Sequence, residues 1–188
     1  MPLRNGPREF GAISRAIHWL MAVGILGTSV LGIVILRLTP SLSNIWLYGL
    51  HKTIGIVLLA AVLLRLLWHW ASPTPAPLDS HGAGRARLAR RAHWVLYALM
   101  IAIPLIGWAG SAATGIDVIV FGRWTLPPLV PASATAAKGL MALHHWLALA
   151  MLGLVAVHVA GALSRRDGTL RRMILGRPSP ENPNPTSR

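Results

Sequence analysis

Residues 141–163, MALHHWLALAMLGLVAVHVAGAL, are apolar enough to lie in hydrocarbon, yet they carry His144, His145 and His158. Imidazole is a metal ligand and a proton carrier near neutral pH. An ionisable side chain inside a membrane is costly and implies a function. Fourteen residues separate His144 from His158. On an α-helix that is a rise of about 21 Å and a return to within about 40° of the starting direction. The two rings therefore share a face at two depths, while His145 points about 100° away from His144. Five further histidines complete the set: His18, His51, His69, His81 and His93.

The elements that must position these rings follow from composition. The chain has 188 residues, 54% hydrophobic and 12% charged. Soluble domains carry about 25% charged residues, so the chain reads as an integral membrane protein. There is no Cys, which excludes a disulfide framework, thiolate metal sites and the C-x-x-C-H attachment of c-type haem. Four apolar runs approach the length of about 20 residues that spans a bilayer. They are Ser14 to Leu36, Trp46 to Trp70, Ala92 to Ala113 with Pro104 inside it, and Gly139 to Leu163. The expected fold is all-α, a transmembrane four-helix bundle. Its domain covers residues 1–175, followed by a disordered tail, 176–188. The first run ends in LGIVILRLTP, which offers no small-residue cleavage site, so it is kept as a helix rather than a signal peptide. The segment TGIDVIVFGRWTLPPLVPASATAAK is partly apolar and broken by Pro, and should lie over the outer end of the bundle.

Net charge is +13. The cations cluster between and after the apolar runs, a topological pattern that argues against nucleic acid as the partner. Arg4, Arg8, Arg15, Arg65, Arg85, Arg87, Arg90, Arg91, Arg165, Arg166, Arg171, Arg172, Arg177 and Arg188 fall on one side; Arg37, Lys52, Arg123 and Lys138 fall on the other. The arginine-rich side should be cytoplasmic, which puts both termini inside.

That topology gives each histidine a depth. His51 and His144 lie near the outer surface, and His18 and His158 near the inner. Two levels, each with one imidazole from each of two helices, suit two stacked six-coordinate haems. The inner level stays open on spacing alone, because His69 shares a face with His51 and His93 sits at the inner end of the third helix. His81 falls in a loop, where solvent suits it. Zinc or non-haem iron would call for three or four close ligands, often with a carboxylate. The five acids, Glu9, Asp79, Asp117, Asp167 and Glu181, all fall outside the runs, which disfavours a metal or proton transporter. Gly55 lies one turn beyond His51; Gly24 and Gly27 follow His18; Gly153 lies between His144 and His158. Such gaps admit a porphyrin edge and equally serve helix packing. Arg15 near His18 and Lys52 beside His51 could pair with haem propionates or simply snorkel.

At these residues the sequence resembles the bacterial cytochrome b561 family of four-helix di-haem membrane proteins. The resemblance covers roughly residues 11–175. It rests on SRAIHWL, GLHKTIGIVLLAAVLLRLLW, AHWVLYALMIAIPLIGW and LHHWLALAMLGLVAVHVAGAL, with FGRWTLPPLV and DGTLRRM outside the helices. It implies that His18, His51, His144 and His158 ligate two haem b groups, and that His93 is not an axial ligand. It implies a multi-pass protein of the bacterial inner membrane that exchanges electrons with quinone. One member type is similar to a superoxide oxidase, which oxidises superoxide at the outer face and reduces ubiquinone; Lys52, Arg123 and Lys138 would attract that anion. Related sequences serve instead as haem electron-transfer subunits for a separate dehydrogenase, a hydrogenase or a periplasmic redox partner.

Overall fold

The computed structural model describes residues 2–76, 78, 83–165 and 168–176. Four long helices form: α1 Ala12–Leu36, α2 Ile45–Ala71, α3 Ala83–Ala113 and α4 Ala134–Ser164. Between α3 and α4 lies a hairpin of β1 Val118–Val120 and β2 Trp124–Leu126, and α5 Thr169–Leu175 follows α4. All four long helices are long and apolar enough to cross a membrane. They are apolar all round, so most of that surface faces outward: Leu20, Val23 and Val157 are each at least 66% exposed. Such all-round apolarity belongs to a membrane span, not to a surface helix. Val62 alone is a large side chain with no exposure at all among the described residues.

Two helix starts differ from the sequence expectation. α3 begins at Ala83 rather than Ala92, because GRARLARR is rich in good helix formers. Charge marks where this segment leaves the membrane, not where the helix ends. α4 begins at Ala134 rather than Gly139, where the Ser133 side chain accepts from the Ala136 N–H and caps the first turn. Pro104 sits inside α3 without ending it. The seven-residue α5 falls in the basic segment after α4 and is bounded by Gly168 and Gly176, with φ 84° and 87°.

The helices pack in chain order, α1 on α2, α2 on α3 and α3 on α4. At one end, Trp68 Nε1 donates to buried Ser14, Asn5 Nδ2 donates to the Ser72 carbonyl, and the Phe10 N–H donates to the Gly176 carbonyl. The two ends of the described chain therefore meet at this termini end. At the opposite, hairpin end, β1 pairs antiparallel with β2, Val120 opposite Trp124. The turn has φ 53° at Phe121 and 66° at Gly122, and Arg123 N–H closes onto Val120 O, as in a type I′ turn. The Phe121 N–H donates to Thr53 of α2, Lys52 Nζ donates to the Asp117 carbonyl, and Trp108 Nε1 donates to the Pro127 carbonyl. The connection from α3 to α4 thus lies over the bundle end as expected. Its two strands were not anticipated, although VIVFGRWTL carries alternation around a glycine turn. The expected tail beyond Gly176 and the loop histidine His81 lie outside the described residues.

Candidate functional site

The fourteen-residue spacing recurs on every long helix. α1 carries His18 and Gly32, α2 His51 and Arg65, α3 His93 and Gly107, and α4 His144 and His158. Each helix therefore sends two residues, about 21 Å apart and on nearly the same face, to two levels. His51 and His144 meet at the hairpin-end level, with ring centres 6.1 Å apart. At the termini-end level His18 and His158 meet at 6.3 Å, while His93 approaches His158 at 5.3 Å.

These separations test the donor set. Two imidazoles bound on opposite sides of one metal through a nitrogen at about 2 Å have ring centres about 6.3 Å apart. The His51–His144 and His18–His158 pairs match that value; His93–His158 is too short. His69 goes elsewhere, its Nδ1 lying 3.3 Å from the Tyr97 hydroxyl. Geometry thus separates candidates that sequence spacing left level. The paired rings come from α2 with α4 and from α1 with α4, neither of which is among the main packing pairs. The backbones stand apart where the imidazoles face each other, which gives width for a flat group between them. Among the described residues no cluster of three or more metal-binding side chains occurs.

Two glycines seat the hairpin-end rings. A Cβ at Gly107 would lie 2.8 Å from both Cε1 and Nδ1 of His144, and one at Gly32 would lie 3.2 Å from Cε1 of His51. One turn before each glycine is the atom that orients the ring. His144 Nδ1–H donates to the Ile103 carbonyl at 2.9 Å, and His51 Nδ1 lies 3.3 Å from Thr28 Oγ1. With Nδ1 engaged, Nε2 is the nitrogen left for a metal, the usual arrangement of a ligating histidine. None of Thr28, Gly32, Ile103 or Gly107 was singled out from the sequence. Counting fourteen from His18 and from His93 would have found both glycines.

The glycines expected to leave gaps behave differently. Gly24 packs against Leu58, and a Cβ at Gly27, Gly55 or Gly153 would meet nothing within 4 Å. Gly27 is nine residues from His18 and Gly153 nine from His144, each half a turn off that histidine's face, and both are exposed. Gly55 does share the face of His51, one turn on. Arg15 donates from one terminal nitrogen to the Ile174 carbonyl of α5, and Lys52 holds the Asp117 carbonyl. His145 stacks edge-on against Trp146, away from His144's partner.

Comparison with known proteins identifies the family. A family described as prokaryotic cytochrome b561 matches residues 9–176. The chain is similar to Cytochrome b561 homolog 2 of Escherichia coli (strain K12), 36% identical over 181 residues, covering 93% of this chain and 95% of that one. It is also similar to Probable superoxide oxidase CybB of Yersinia pestis, 29% identical over 171 residues, covering 89% of this chain and 96% of that one. Matched across nearly its whole length, with four spans and facing imidazoles where haem would need them, this chain belongs to the prokaryotic cytochrome b561 family, haem b proteins of membrane electron transfer, and is a multi-pass protein of the bacterial inner membrane.

Proposed function

We propose that the protein holds two haem b groups, one between His51 and His144 and one between His18 and His158, and carries single electrons between the hairpin side of the membrane and the quinone pool. The observation that supports this best is the pair of ring separations, 6.1 and 6.3 Å, at levels fourteen residues apart on α4. Haem b bound there would supply the one-electron redox change. The chain's residues orient the ligands, set the distance between levels and exclude water. Thr28 and Ile103 fix the hairpin-end rings, and Gly32 and Gly107 admit them. Gly55, on the face of His51, would accommodate the edge of the group. Arg15 and Lys52 would pair with its propionates at the two levels. The arginine excess at the termini end supports cytoplasmic termini and a periplasmic hairpin.

Superoxide is the donor this reading favours at the hairpin side, with ubiquinone as acceptor. A relative carries the name of a probable superoxide oxidase. Arg37, Lys52, Arg123 and Lys138 stand at this end against Asp117 alone, and a positive field draws in a small anion. A second reading, a haem subunit that takes electrons from a separate protein, has its own support. The more similar relative is named without a substrate, and Ile119, Phe121 and Trp124 expose an apolar face on the hairpin. Rapid mixing of the oxidised purified protein with superoxide separates the two. Reduction of the haem bands within the mixing experiment, followed by quinol formation when ubiquinone is added, is the expected result. Haem that superoxide leaves oxidised but a protein donor reduces would favour the subunit.

A further inference from the structure

Inside the spans lies a guanidinium for which the spans contain no carboxylate. Arg65 stands fourteen residues after His51 and takes the place of α2 at the termini-end level. All five acids fall outside the membrane-crossing helices. Arg65 Nε donates to the Tyr97 hydroxyl at 2.9 Å, and its guanidinium carbon lies 6.0 Å from the centre of the Tyr97 ring. That hydroxyl also lies 3.3 Å from His69 Nδ1. Tyr97 thus holds the cation from across the α2–α3 seam. Tyr97 lies one turn from His93 on α3, and the His93 ring lies 5.3 Å from that of His158, so the cation stands at the termini-end level. At the hairpin-end level the cation beside a histidine, Lys52, is instead turned to the Asp117 carbonyl of the overlying segment. There α1 and α3 contribute Gly32 and Gly107, and His144 Nδ1–H donates to a neutral carbonyl.

We propose that Arg65 is the charge that makes the His18–His158 level the better electron acceptor of the two, with Tyr97 as its positioning residue. The proposal rests on the two-haem reading above. Adding one electron to a level removes one unit of positive charge, so a fixed cation nearby in a medium of low dielectric favours the reduced state. The bond from His144 to Ile103 works the other way at the hairpin end. It makes the imidazole a more basic ligand, which favours the oxidised state. Electrons then move downhill from the hairpin end towards the termini end. A positive charge in hydrocarbon is expensive, and this role gives it a reason to be there.

The test is a redox titration of the purified protein followed by its visible spectrum, with haem per chain measured on each variant. In Arg65→Gln the higher of the two midpoints should fall while the lower stays in place. Arg65→Lys should retain most of the wild-type value. Tyr97→Phe keeps the charge but loses its anchor, so its higher midpoint should fall part of the way; this variant serves if Arg65→Gln does not accumulate. Two haems retained with an unmoved higher midpoint in Arg65→Gln and Tyr97→Phe would overturn the role of Arg65 alone. A wild-type protein holding a single haem would overturn the two-haem reading and this proposal with it.

Discussion

His144→Ala should release one of the two haem groups held per chain, and His145→Ala should release neither. His144 faces His51 at 6.1 Å, its Nδ1–H is committed to the Ile103 carbonyl, and only Nε2 is left to bind iron. Alanine removes that ligand outright, and a porphyrin iron left on one imidazole is held weakly and changes spin state. His145 is the adjacent residue but turns about 100° away and packs on Trp146. A control one residue distant in sequence therefore separates ligation from a general disturbance of α4. His51→Ala should behave like His144→Ala, and His93→Ala should keep both groups, since 5.3 Å from His158 is too short for imidazoles on opposite sides of one metal. Haem per purified chain, read from the visible spectrum, decides each case. An unchanged content in both His51→Ala and His144→Ala would reassign the hairpin-end ligands.

Gly107→Val should cost nearly as much haem as deletion of the ligand itself, without touching a ligand. A Cβ at this position meets two atoms of the His144 ring at 2.8 Å, so the ring must swing off its Ile103 anchor. Displacements of that size in a fixed site cost far more than a surface change, because orientation of the ligand sets affinity; loss of such supporting contacts typically weakens metal binding by about 10–100-fold. The effect should be graded by contact. Gly107→Ala should lose more haem than Gly32→Ala, where the Cβ would stand 3.2 Å from Cε1 of His51. Gly27→Ala and Gly153→Ala meet nothing and should bind haem as the wild type does. Gly55→Ala is informative in a different way. The polypeptide leaves it open space, so loss of haem there would report contact with the bound group itself. Equal haem content in the Gly107 and Gly153 variants would show that Gly107 does not seat the ring.

The spans and the step of fourteen are legible in the sequence alone. Four runs of spanning length, and the step of fourteen between His144 and His158, follow from hydropathy and helix geometry. What the sequence left open was the partner of His158. His18, His69 and His93 share a depth, and depth is all that spacing supplies; the choice needs distances across the bundle. Arg65 read as one more topological arginine for the same reason. Its place beside the imidazoles depends on the packing of α2 against α3, which no single-helix pattern contains. For two of the small residues nearness in sequence is not nearness in space. Gly27 and Gly153 sit close to histidines along the chain but half a turn away from their faces, whereas Gly32 and Gly107 are distant in sequence from the rings they touch. The β-hairpin was hidden by Pro and Gly, which read as breaks although one of them, Gly122, forms the turn together with Phe121.

The central claim is that opposed imidazoles hold iron at each of two depths in the membrane. It is tested most directly by the haem content of the purified wild-type chain, measured together with its reduced-minus-oxidised spectrum. Two haem b per chain, both low-spin with two nitrogen axial ligands, is the expected result. A single haem per chain, or none, would contradict it.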